Sequence, residues 1–176
     1  MKNRVLLAVV CACASFMLMA CGKEGNNDVV APNPPINQTV TITVDLGTGN
    51  VTQAGYEWVD NSGIIHVQGR IVEGQTVSGD LVGEFKTTIT NSERNPQTGD
   101  SKETLIVECT AHWPAQNRHG LFTGGMTQEI KAGTRAPMSF NAQGKEGFSS
   151  LDLEVTFEST GENANMLVGK GRIIER

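Results

Sequence analysis

Beyond about residue 39, apolar and polar residues alternate with a period of two, and helical spacing is missing. Leu151, Leu153, Val155 and Phe157 share one face of a strand, with Asp152, Glu154, Thr156 and Glu158 on the other. Val40, Ile42, Val44 and Leu46 oppose Thr39, Thr41, Thr43 and Asp45. Leu105, Val107, Cys109, Ala111 and Trp113 oppose Ile106, Glu108, Thr110 and His112. Leu81, Gly83, Phe85, Thr87 and Ile89 oppose Val82, Glu84, Lys86, Thr88 and Thr90. Weaker alternations occupy 51–59, 64–72, 121–130, 136–142 and 166–174. Between these runs lie GTGN at 47–50, DNSG at 60–63, NPQTG at 95–99 and GENAN at 161–165, which offer Gly or Asn where a hairpin needs positive φ. Eight or nine short strands with tight turns predict an all-β fold. Connections short enough for sequential neighbours favour an antiparallel up-and-down barrel of about eight strands over the alternative, a β-sandwich. Gly83, Gly124, Gly169 and Gly171 fit strand kinks or close packing inside it.

The start of the chain follows another pattern. In MKNRVLLAVVCACASFMLMACGKEG, Lys2 and Arg4 precede sixteen uncharged, mostly apolar residues, Val5 to Ala20. That run is shorter than the ~20 residues of a membrane-spanning helix, and with its basic flank it reads as a secretory signal. Leu18-Met19-Ala20-Cys21 resembles the lipobox of bacterial lipoproteins, with Met19 departing from the small or β-branched residue preferred there. The resemblance implies that residues 1–20 are removed and that Cys21 takes a diacylglycerol thioether and an acylated amine, palmitate among the chains. Each buried methylene adds ~0.8 kcal/mol, and two or three chains are needed to hold stably. Gly22 stands where an inner-membrane retention signal would carry Asp, so the resemblance points to the cell envelope and to the outer membrane. Residues 21–38, rich in Gly, Asn and Pro, read as a flexible lipidated tether, and 39–176 as the β-barrel domain.

Within that domain IIHVQGRI, SGDLVGEF, TITNSERNPQTG, GLFTGG and GKEGFSSLDLEV resemble glycine-punctuated small β-barrels of the allene-oxide-cyclase-like and lipocalin-like kind. The resemblance covers about half of the chain and implies an eight-stranded barrel, with no catalytic residue carried over.

Charge narrows the partners. Without Lys2 and Arg4, 12 basic residues face 19 acidic ones, a net charge of −7. Such a chain is repelled by nucleic acid and by an anionic membrane surface. Two Trp and one Tyr cannot build the aromatic girdles of a transmembrane barrel, so the apolar face is expected to form a core. With Cys11 and Cys13 in the signal and Cys21 lipidated, Cys109 has no partner for an internal disulfide.

Candidate chemistry is sparse. His66 falls on the face of Gln68 and Arg70 and is expected to be solvated. His112 and Glu108 lie four residues apart on a strand, ~13 Å, too far to share a metal ion. His119, in the loop PAQNRHG, can approach His112 around the turn, but two histidines lack the third ligand of a zinc site. Asn91, Glu93, Asn95 and Asp100 imitate the start of a calcium loop, yet Pro96 and Lys102 replace its glycine and glutamate, leaving a solvated turn. Cys109 reads as a small buried hydrophobe. Triad and nucleotide-binding motifs are missing. No catalytic, metal or cofactor residue is therefore assigned. The expected function is a lipid-anchored protein whose barrel binds a small apolar ligand or an envelope partner. A barrel enzyme acting on a hydrophobic substrate and a structural or assembly protein of the envelope are the alternatives.

Overall fold

The computed structural model describes residues 34–161, 163 and 165–176. Residues 1–33, with the expected signal peptide, Cys21 and most of the tether, lie outside them. Twelve strands follow: β1 (Asn37–Asp45), β2 (Asn50–Gln53), β3 (Tyr56–Val59), β4 (Ile65–Gln68), β5 (Arg70–Gly79), β6 (Val82–Arg94), β7 (Ser101–Trp113), β8 (Arg118–Lys131), β9 (Thr134–Arg135), β10 (Met138–Lys145), β11 (Leu151–Ser159) and β12 (Met166–Glu175). Eight of them close a barrel. β1, β5, β6, β7, β8, β10, β11 and β12 pair antiparallel in that order, and β12 returns to β1. Barrel neighbours are also chain neighbours, the up-and-down arrangement expected from the short turns.

The step from β1 to β5 departs from expectation. It spans residues 46–69 and carries β2, β3 and β4, which lie outside the ring, β2 on β5, β4 on β6 and β3 on β4. The weak run 51–59 is thus two short edge strands, with Val51, Tyr56 and Val59 exposed, and not a barrel wall. GTGN at 47–50 likewise joins two strands that both pair with β5 and not with each other. The turns at 60–63 and 95–99 do make hairpins, β3–β4 and β6–β7.

The interior is built in layers across β6, β7 and β8, where the register sets Phe85, Cys109 and Phe122 opposite one another, then Ile89, Leu105 and Met126. Alternation buries Leu105, Val107, Cys109, Ala111 and Trp113 while Ile106 stays exposed, and buries Leu151, Leu153, Val155 and Phe157 across from acidic outer residues. Apolar inside and polar outside is the reverse of a transmembrane barrel. Among the described residues no helix is long and apolar enough to cross a membrane. The glycines at 83, 124 and 171 serve close packing: a methyl on any of them would collide with a carbonyl oxygen of the adjacent strand.

The two ends of the barrel differ. At the end where β1 begins, Trp113, Phe122, Phe148 and Leu151 are wholly buried and fill the interior, with the Phe122 and Phe148 rings stacked at 4.6 Å. The chain arrives there, its Ile36 N–H donating to the Glu175 carboxylate (3.0 Å) and the Glu175 N–H to the Ile36 carbonyl (2.8 Å). At the opposite end β6, β7 and β8 run on past the ring, and the filling changes.

Candidate functional site

The inward-facing parity of β7 continues back from Leu105 to Glu103, and that of β8 continues forward from Met126 to Gln128. The register sets Ser92, Glu103 and Gln128 side by side on three strands, as a polar row directly above the apolar row Ile89, Leu105, Met126. Ser92 Oγ donates to Glu103 Oε1 (3.2 Å) and Gln128 Nε2 donates to Glu103 Oε2 (3.3 Å), so each carboxylate oxygen has a neutral donor. From β5 comes Gln75. A bulge at Gly74, whose φ of +80° favours glycine, shifts the register so that Gln75 opposes Phe85 and points inward. Its Oε1 accepts a hydrogen bond of 2.8 Å from the buried Thr87 hydroxyl.

A further polar group arrives on a flap. β8 turns at Ala132 and Gly133, both with positive φ, and folds back as β9, which places Arg135 opposite Ile130. Asp100 holds the tip by accepting from the Ala132 N–H at 2.8 Å. Arg135 is half-buried. Burial pushes its pKa down, and the Glu103 carboxylate opposes that shift. An arginine remains protonated under such a shift, so a cation and a carboxylate both stand at the rim.

Together these side chains surround a cavity of about 150 Å³ at the open end of the barrel. Its walls are apolar, with Phe85, Ile89, Leu105, Met126, Phe157 and Leu167, and its rim carries Gln75, Thr87, Glu103, Gln128 and Arg135. The ring of Phe157 meets Phe85 edge-on at 6.0 Å. An apolar cavity of about this volume accommodates a benzene-sized guest. The three buried polar residues among the described ones, Gln75, Thr87 and Ser92, all lie at this mouth. Burying polar groups is costly unless they are satisfied or used, and the other buried side chains among the described residues belong to hydrophobic residue types.

The residues singled out from sequence lie apart from the mouth. His66 is not solvated as expected: its side chain is 15% exposed, bonded through Nε2 to Asp60 Oδ2 (3.1 Å) and stacked on Trp58 at 4.9 Å. That hydrogen bond, with those from the Ile64 and Ser62 N–H groups, holds the Asp60 carboxyl below its ordinary range. His119 lies on β8 and not in a loop, directly opposite His112, with the rings stacked at 4.1 Å. Among the described residues no three His, Cys, Asp or Glu side chains are grouped as metal ligands. Asn95 Oδ1 accepts from the Gln97 and Thr98 N–H groups, an ordinary hairpin turn in the segment of Asn91, Glu93 and Asp100. Cys109 is fully buried, and its thiol pKa is pushed up to about 12 by that burial. Cys21 lies outside the described residues.

Comparison of the chain with family models, with curated proteins and with solved structures finds no match.

Proposed function

We propose that this is a lipoprotein of the cell envelope, anchored through acyl chains on Cys21, whose barrel binds a small, largely apolar molecule at its open mouth. The observation that carries the reading is the convergence of inward polar groups on one apolar-walled cavity, in an interior that is otherwise tightly filled. A few fixed polar groups in an apolar recess are the usual composition of a small-molecule site. Binding is favoured over turnover because Arg135 and Glu103 are the two ionisable side chains lining the cavity, and an arginine does not exchange protons near neutrality.

The described chain begins at the filled end, beside Glu175, whereas the mouth lies past the end of β1. Nine tilted residues put the two ends roughly 20 Å apart along the axis.

Two measurements test this. Cells fed a palmitate analogue should label the wild-type chain and not a Cys21→Ala chain; an unlabelled wild type defeats the anchor. Native mass spectrometry of protein released gently from its own membrane should show a retained small molecule that Leu105→Trp, which fills the cavity, no longer carries. A retained mass unaffected by that substitution, or none at all, defeats binding at the mouth.

A further inference from the structure

A second recess lies on the outer wall at the filled end, far along β7 from Glu103 and the mouth. The β7–β8 hairpin turns through Pro114–Gln116 and Asn117, whose φ of +47° closes it tightly. His112 and His119 therefore stand directly opposite one another. Side chains so opposed start from Cβ atoms ~4.5–5.5 Å apart, and here the two imidazoles stack with centroids at 4.1 Å and planes 9° apart. His112 is half-buried, and its Nε2 is closed off from solvent with no hydrogen-bond partner, whereas His119 is exposed.

An imidazole nitrogen stripped of water and given no partner is a standing cost to the fold. In the tautomer that leaves the proton on Nδ1, that nitrogen carries a free lone pair. Donating it to a cation removes the cost, and the neighbouring imidazole supplies a second bond. Rotation of the exposed His119 ring about its side-chain bonds opens the stack and brings the two nitrogens ~3 Å apart, the cis spacing of two metal bonds of ~2.0–2.1 Å.

Glu84 and Glu146 line the same recess, of about 420 Å³. Glu84 lies on β6 opposite Thr110, one diagonal step from His112. Glu146 precedes Gly147, where a methyl group would collide with the His119 carbonyl oxygen and whose own carbonyl accepts from Arg118 Nε at 3.0 Å. One carboxylate thus flanks each histidine. Neither carries a hydrogen bond or ion pair among the described residues, while Glu57, Glu73, Glu129 and Glu154 are each matched with a Lys or Arg. Two unmatched carboxylates favour a cation between them. They are not grouped with the histidines as direct ligands, so water fills the remaining coordination positions.

Two imidazoles and water oxygens do not make the four-ligand cage of structural zinc, but they suit the tetragonal N,O geometry of Cu2+ and Ni2+, and copper stands first in the order of affinities. We propose that His112 and His119 form a binding site for divalent copper, with water completing the coordination and Glu84 and Glu146 holding that water.

The test titrates Cu2+, Ni2+ and Zn2+ into the detergent-solubilised full chain at pH 7, with calorimetry for affinity and electron paramagnetic resonance for the copper ligands. Wild type is expected to bind one Cu2+ per chain, with hyperfine splitting from two imidazole nitrogens, and to bind it more tightly than Ni2+ or Zn2+. His119→Ala, at an exposed position, should keep the fold and weaken copper at least about tenfold, since even outer-shell partners of a metal are worth about 10–100-fold. His66→Ala should leave both readouts unchanged, because His66 is bonded to Asp60 on the β3–β4 hairpin. Glu84→Gln combined with Glu146→Gln should weaken copper while keeping the two-nitrogen signature. A wild type that binds no copper, or whose copper shows fewer than two nitrogens, overturns the proposal. So does copper held equally by His119→Ala, lost in His66→Ala, or bound less tightly than nickel or zinc. An affinity unchanged in the double glutamine variant overturns the role of the carboxylates.

Discussion

Gly124 and Gly125 are adjacent on β8, and alanine at the two positions is expected to act in opposite directions. Gly124 faces inward against β10. A methyl group there would sit 2.9 Å from Ala142 Cα and collide with the Asn141 carbonyl oxygen. Both are backbone atoms of a hydrogen-bonded neighbour, so no rotamer relieves the overlap. β8 and β10 must separate, and the ring closes through that contact. Overpacking of this kind costs about 1–3 kcal/mol. Gly125 faces outward, with its nearest atom the Leu105 carbonyl oxygen at 3.9 Å and a φ outside the left-handed region. Alanine there restricts the unfolded chain at no native cost and stabilises by about 0.4–1 kcal/mol. The assay is urea unfolding followed through Trp113, which is wholly buried at the filled end. With a urea slope of about 1–3 kcal/mol/M, Gly124→Ala lowers the midpoint by about 1 M and Gly125→Ala leaves it level or raises it. Two variants that shift equally, or a Gly124→Ala protein as stable as wild type, would show that β8 and β10 do not approach as described.

Other consequences are as direct. Phe148→Ala removes a fully buried ring stacked on Phe122 and is expected to destabilise by about 3–5 kcal/mol in thermal unfolding, without altering ligand affinity at the far mouth. The Cys109 thiol, raised by burial from 9.0 to about 12, should resist thiol reagents at pH 8 until the protein unfolds. Because its folded pKa is the higher one, the native state keeps its proton longer than the unfolded state. Its stabilising contribution is complete below pH 9.0 and is lost toward about 12, a dependence absent in Cys109→Ala. The Asp60 carboxyl is lowered from 3.8, so its support of the β3–β4 hairpin is complete above that pH and lost as pH falls through the lowered value. Trp58 emission should report that acid transition, and Asp60→Asn should remove it.

The walls of the barrel were legible because burial and strand parity agree there. From Leu105 to Trp113 and from Leu151 to Phe157, one face is apolar throughout and the structure buries it. The excursion at 50–59 was misleading for the same reason in reverse. Its β-forming residues stand at a free edge, where pairing with one neighbour is enough and alternation says nothing of closure. At the mouth, Glu103 and Gln128 were within reach of the sequence, since stepping inward parity two residues beyond Leu105 and Met126 lands on them. Polar residues at the end of an apolar stripe read as the stripe stopping. Gln75 required the Gly74 bulge, and Arg135 the fold-back at Ala132 and Gly133. Both are tertiary facts that no periodicity carries. Residue type alone singles out the histidines, and the structure engages them in stacking and turn bonding.

Chemical-shift mapping with isotope-labelled domain and acetophenone tests the central claim most directly. The account predicts shifts confined to the mouth, in the methyls of Leu105, Met126 and Leu167 and the side chains of Gln75, Gln128 and Arg135. Trp113 and the ring of Phe148, at the filled end, should be undisturbed. Shifts centred on the filled end or on the outer wall, or none at saturating probe, would contradict it.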